Sequence, residues 1–263
     1  MLTTLFENQL VLGAAQALAA LAAAGLVVLV ARWRAVHLWR EMWVAMVRGL
    51  TQVVVVGLAL VTIFNGPLWL GIPLLMLMMT AGGVIAARRV TGVPGMLRVT
   101  LVTISLSSGI VIIVMTLVGV IEKDLTSIIP IGSMLIAGSM NTATLALERF
   151  KSELESHTGQ IEAGLSLGAS ARSVVEPYVR QAVQASLIPV GNSIRSLGIV
   201  WIPGLMAGMI LSGVDPVYAA VYQFVLMVMI FCSSGLTALL CTALASRQVF
   251  TPADQLRVRQ EIH

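Results

Sequence analysis

Side chains able to do chemistry are sparse in this sequence, and their spacing excludes most of what they could do. The histidines are His37, His157 and His263; no H-x-x-x-H or C-x-x-C pair occurs, so a built-in zinc or haem site is not expected. Cys232 and Cys241 share one apolar run, and their spacing at 3.6 residues per turn points them to opposite sides, as ordinary buried thiols rather than a bridge. No G-x-x-x-x-G-K-[ST] run is present, so the chain carries no P-loop for hydrolysing nucleotide. Asp and Glu stay out of the apolar runs: Glu148 edges one and Asp215 lies in a loop, which leaves no carboxylate for a proton relay in the membrane. Sodium held by carbonyls and hydroxyls stays open.

What remains is a set of polar and soft groups inside the apolar runs. Gln52, Asn141 and Gln223 are candidate path-lining residues, with hydrogen-bonded glue between helices as the competing reading. Arg195 has two readings as well. It faces a pathway if its span starts near Ser186, or anchors at the inner leaflet if the span starts near Ile194, the start that gives the better length. Among 14 methionines, Met134, Met140, Met206 and Met209 invite a metal path. Thioethers suit Cu(I) better than ferrous iron, however, and methionine packs well as a plain apolar side chain.

A third group lies in the stretch QIEAGLSLGASARSVVEPYVRQA, Gln160 to Ala182, part of a polar insert spanning about 148–193. Phe150, Leu154, Ile161 and Leu165 make one narrow apolar stripe at loosely helical spacing. Gly168 interrupts it, Ser170 is placed to cap a second helix, and Pro177 is expected to disturb that helix at Glu176. The product is a helix–turn–helix whose small residues, Gly164, Gly168 and Ala169, let another protein approach. An amphipathic loop lying on the membrane is the alternative.

The elements that position these groups are spanning helices. Hydrophobic residues make up 58% of the 263 and charged residues 11%, against about a quarter charged in soluble domains. The expected class is an all-α polytopic integral membrane protein, a single permease-sized domain over 1–263. About seven spans are expected, near 9–30, 44–64, 68–87, 99–121, 128–147, 194–212 and 217–245. Arg32, Arg34, Arg40, Arg48, Arg88, Arg89, Arg98, Arg149, Lys151, Arg172, Arg180, Arg247, Arg257 and Arg259 then share one side, opposed by Lys123. That side is the cytoplasm, with the N-terminus outside and the C-terminus inside. The net charge of +4 follows from this bias and needs no nucleic acid; membrane lipid is the only polyanion implied. The first run lacks a basic lead-in, so no cleavable signal peptide is read from it. Small residues at 132, 133 and 137–139, and at 204, 207 and 208, allow close helix approach, and either run suits a dimer contact.

Glu162-Ala163-Gly164-x-x-x-Gly168-Ala169-Ser170 resembles the EAA loop of ABC-transporter membrane subunits, E-A-A-x-x-x-G-A-[ST], with Gly at the third position instead of Ala. Ile129–Asn141, Ser186–Pro189 and Trp201–Pro216 are similar to the FetB family of permeases. The likeness is good over about 125–245 and mainly one of span layout before that. It implies a half-size membrane subunit of an iron exporter, working as a homodimer with a separate FetA-like ATP-binding subunit; plant relatives are tied to aluminium tolerance. ATP and Mg are then held by the partner and no cofactor by this chain. Glu162, Ala163, Gly164, Gly168, Ala169 and Ser170 become the contact with the ATPase. Rival readings are an ABC permease for an organic cargo such as a nucleotide sugar, a stand-alone carrier or channel, and a membrane enzyme, which the lack of clustered His, Cys or carboxylate in the spans disfavours.

Overall fold

The computed structural model describes residues 9–33, 39–90 and 95–250 and divides at Gly66 into two units. Glu7, Arg34, His37, Arg257, Arg259 and His263 lie outside the described residues. In the first unit, α1 (Gln9–Trp33) and α2 (Trp39–Phe64) pack on each other where Gly25 meets the indole of Trp43. A Cβ at Gly25 would lie 3.0 Å from Trp43 Cζ2, so the missing side chain sets that approach.

The second unit begins with a single 3-10 turn, Leu68–Leu70, and continues as α3 (Gly71–Arg89), α4 (Met96–Leu117), α5 (Leu125–Ser156), α6 (Thr158–Ser166), α7 (Ala171–Ser196), α8 (Gly204–Leu211) and α9 (Pro216–Gln248). Its order in space follows from pairs of touching residues. Gly71 meets Leu125, Gly132 meets Leu75 and Gly82 meets Met140, so α3 runs parallel to α5. The hydroxyls of Ser139 and Ser233 lie 2.6 Å apart. One turn or more further along both helices, Leu147, Phe150 and Leu154 line one small cavity with Ala245 and Val249, so α5 also runs parallel to α9. Thr100 donates back to the Gly83 carbonyl at 2.8 Å, and Ser107 shares a short hydrogen bond with Thr237, so α4 runs antiparallel to its neighbours. Two parallel helices joined in sequence need a return element between them, and α7 supplies it.

Asp124 starts α5 by accepting from the Ser127 amide at 3.2 Å, and its hydrogen bond from Thr126 holds its carboxyl below the ordinary carboxylate range. The helix then runs through Pro130 and on to Ser156, beyond the apolar run expected to end at Leu147. Its last turns are polar outside and apolar inside: Phe150 and Leu154 are buried in the core. Spacing in the sequence marks that stripe correctly, and the structure also buries Ile161 of α6.

Six of the expected apolar runs fall on α1, α2, α3, α4, α5 and α9. Five helices among the described residues are long and apolar enough to cross a membrane, and Ala15–Val30 is a shorter apolar stretch. The expected span over 194–212 is corrected. Residues 171–196 form one helix through Pro177 and Pro189, the chain then leaves helical geometry at Leu197–Pro203, and α8 is only eight residues long. Gly198 takes a left-handed φ of +75°, and Pro203 pushes Ile202 away from helical backbone. Each proline removes a donor and crowds the carbonyl four residues back, yet the helix runs through both. Gln181 opposite Glu153 sets an antiparallel register that, at equal rise per residue, brings Ser196 level with about residue 138 of α5. The break therefore lies opposite the middle of α5.

Small residues let these helices meet. At Gly83 a Cβ would stand 2.6 Å from Leu101 Cδ2 and 3.0 Å from its Cα, a backbone atom that cannot turn aside. Gly83→Ala is therefore expected to cost about 1–3 kcal/mol, seen as a lower thermal unfolding midpoint in detergent. Gly109→Ala, whose Cβ would meet only Met79 Cε at 3.9 Å, is expected to leave the midpoint unchanged or slightly raised.

Candidate functional site

Residues 162–170 form an elbow between α6 and α7. The amide of Ala169 donates to the Gly164 carbonyl at 3.0 Å and that of Gly168 to Leu165 at 3.0 Å, the paired bonds of a Schellman ending. Gly168 makes this turn at φ +87°. Nothing lies within 4 Å of the position its Cβ would take, so the backbone angle, rather than crowding by neighbours, calls for glycine there. Two residues on, Ser170 accepts from the Ser173 amide at 3.3 Å and starts α7. One helix is closed and the next opened within four residues, which leaves the elbow little freedom.

Gly164 has a different reason. A Cβ there would press on Val174 Cγ2 at 3.2 Å, so the glycine at this position lets α6 and α7 close on each other. Glu162, Ala163, Gly168, Ala169 and Ser170 are all exposed, and Glu162 makes no ion pair among the described residues. The elbow thus offers one free carboxylate beside a rigid turn. Sequence reasoning passed over Leu167, whose side chain is 88% exposed at the tip. An apolar residue directly before a left-handed glycine was the available signal.

The candidate path residues are not gathered into one site. Met134 and Asn141 stand two turns apart on one exposed face of α5, with Ala137 between them. Met140 turns towards α3 and packs near Gly82. Gln52 is exposed on α2, in the other unit. Gln223 is 2% exposed on α9, and its Oε1 has no hydrogen-bond partner. Arg195 is exposed in the last turn of α7, far along that helix from the elbow. The span start at Ile194, on which the inner-leaflet anchor reading rested, is corrected, because that residue lies at the end of a helix. Met206 and Met209 are half-buried on α8, and no cluster of three His, Cys, Asp or Glu able to hold a metal occurs among the described residues.

Arg88, Arg89, Arg98, Arg149, Lys151, Arg172, Arg180 and Arg247 gather at the end of the second unit that carries the elbow, whereas Glu122, Lys123, Asp124 and Asp215 occupy the other. The class defined by these features is a multi-pass, all-α membrane protein with a rigid helical elbow at its basic end. The sequence profile of the Uncharacterised protein family (UPF0014) matches residues 14–250, and the chain belongs to that family. A UPF0014 membrane protein of Synechocystis is 32% identical over 89% of this chain and 92% of its own. The Escherichia coli "probable iron export permease protein FetB" is 31% identical over 60% of this chain and 61% of its own. The Arabidopsis "protein ALUMINUM SENSITIVE 3" is 29% identical over 82% of this chain and 80% of its own. No solved structure matches the chain.

Gly168→Ala must hold an alanine in left-handed backbone and is expected to cost about 1–2 kcal/mol, raising amide exchange across residues 163–173. Gly164→Ala, where Val174 can shift, is expected to raise it less.

Proposed function

We propose that this chain is the membrane-spanning subunit of an ABC transporter, driven by a separate ATP-binding subunit that docks on residues 162–170. The observation that carries this reading is the elbow itself. A partner that closes on ATP can move a membrane helix only by pushing on something rigid, and the Schellman turn and Ser170 cap make this corner rigid. The apolar stripe of the insert supports the same view. Phe150, Leu154 and Ile161 are spent inside the bundle, so they are not free to lie on lipid. Collection of the basic residues at the elbow end supports a cytoplasmic location for that end by the positive-inside rule, in keeping with an N-terminus outside. A bacterial cytoplasmic membrane fits this layout.

Half-size permeases enclose a path between two copies, and two surfaces of the second unit suit that use. Asn141 is a polar amide exposed on a spanning helix, which hydrocarbon would leave unpaired. The break at Leu197–Pro203 exposes Ile199, Val200 and Ile202 and leaves the amides of Ile202, Gly204, Leu205 and Met206 without backbone partners among the described residues. Irregular backbone at such a depth is tolerated only against protein or a water-filled cavity. We assign both surfaces to the homodimer and its path. ATP and Mg belong to the partner, and the cargo is iron or a related metal species moving outward, in keeping with the name of the Escherichia coli relative.

The test is co-purification of the tagged chain from its native membrane, followed by flux in proteoliposomes. A stoichiometric ATP-binding subunit is expected, together with metal movement that requires ATP. Gly168→Trp and Glu162→Ala are expected to lower ATPase association or coupling while membrane insertion stays intact. ATP-driven transport unchanged in both variants would overturn the docking assignment, and flux without nucleotide would make the chain a stand-alone carrier.

A further inference from the structure

Glu153 is a buried carboxylate that none of the preceding roles uses. It lies in the polar extension of α5, 7% exposed, one turn before the chain bends into α6. Arg149 Nη2 reaches its Oε1 at 2.6 Å and His157 Nδ1 stands 3.5 Å from its Oε2. From α7, the Gln181 amide donates to both carboxylate oxygens at 3.3 and 3.2 Å, once it is oriented with nitrogen towards the carboxylate, as the surrounding donors and acceptors require. His157 in turn stacks on Tyr178 of α7 with ring centroids 4.9 Å apart, and the Tyr178 hydroxyl donates to Gln160 of α6 at 3.4 Å. Three helices thus converge on one carboxylate and the imidazole beside it, at the root of the elbow.

We propose that Glu153 is a positioning residue for energy coupling: it locks α5, α6 and the start of α7 into one body, so that a push on the elbow moves α7 as a whole. The proposal rests on the reading of 162–170 as the ATPase contact. A carboxylate removed from water must keep its donors, so α5 and α7 cannot slide past each other without stranding the charge. Gln181 and Tyr178 lie about one turn apart on α7, and together they hold that helix against both rotation and translation. Arg149 contributes less, because its side chain is half exposed and water replaces what it supplies.

Glu153→Ala, Glu153→Gln and Arg149→Gln can be compared in the full chain purified with its ATPase. Amide exchange over 157–170 is measured in the permease, and cargo moved per ATP hydrolysed in the reconstituted complex. Glu153→Ala is expected to retain the ATPase, to speed exchange in the elbow and to lower transport per ATP about tenfold, the size of an ordinary coupling between sites. Glu153→Gln, which keeps an acceptor for Gln181, is expected to recover most of both, and Arg149→Gln to resemble the unaltered chain. Should Glu153→Ala fail to insert, Gln181→Ala removes the α7 donor instead, and unchanged exchange and unchanged transport per ATP in that variant overturn the proposal. Unchanged exchange in Glu153→Ala overturns it too, as does faster exchange with undiminished transport per ATP. An unaltered chain that holds no ATPase contradicts the docking reading alone, and exchange in the permease then decides the role of Glu153 without it.

Discussion

The close approach of α5 to its neighbours on either side is the constraint from which the rest of the second unit follows. Gly132 admits Leu75 of α3, Gly138 admits Ile230 of α9, and the hydroxyl pair Ser139–Ser233 satisfies two polar groups that hydrocarbon would penalise. Because α5 and α9 run parallel, the chain between them must return, and that return is α7. Here α5 extends past its apolar run to Ser156, α6 turns the chain round, and α7 begins from there.

The elbow is thus a consequence of packing as well as the proposed docking feature. Its rigidity is assembled from the inside by Leu154 and Ile161, which are buried, and from the ends by the Schellman turn and the Ser170 cap. Two kinds of constrained glycine can be told apart. Gly83, Gly132 and Gly138 lack side chains because neighbouring atoms occupy the space, whereas Gly168 and Gly198 lack them because of their backbone angle.

Much of this was legible in the amino-acid order. Long apolar runs locate α1 to α5 and α9, the stripe from Phe150 to Ile161 marks a buried face, and Gly168 followed by Ser170 marks the turn. The sixth expected span was not legible, since hydropathy counts residues and ignores backbone angles. Residues 194–212 are apolar enough, yet Gly198 and Pro203 interrupt the helix, while the polar stretch Ala171–Ser196 is helical in spite of two prolines. The role of Glu153 was hidden for another reason. Its partner Gln181 is distant in sequence, and only the fold brings them together. The residues that resemble the EAA loop lie mostly on the elbow's surface, whereas Leu154 and Ile161, which hold it from inside, are buried.

The most direct measurement is photocrosslinking from the tip of the elbow in native membranes. A photoreactive residue replaces Leu167, and separately Leu211, which is equally exposed, at 88%, but sits at the end of α8 away from the elbow. Docking on residues 162–170 predicts an adduct between position 167 and an ATP-binding polypeptide, and none from position 211. Adducts from position 167 with lipid alone would contradict it and return the elbow to the status of a connection between two membrane helices.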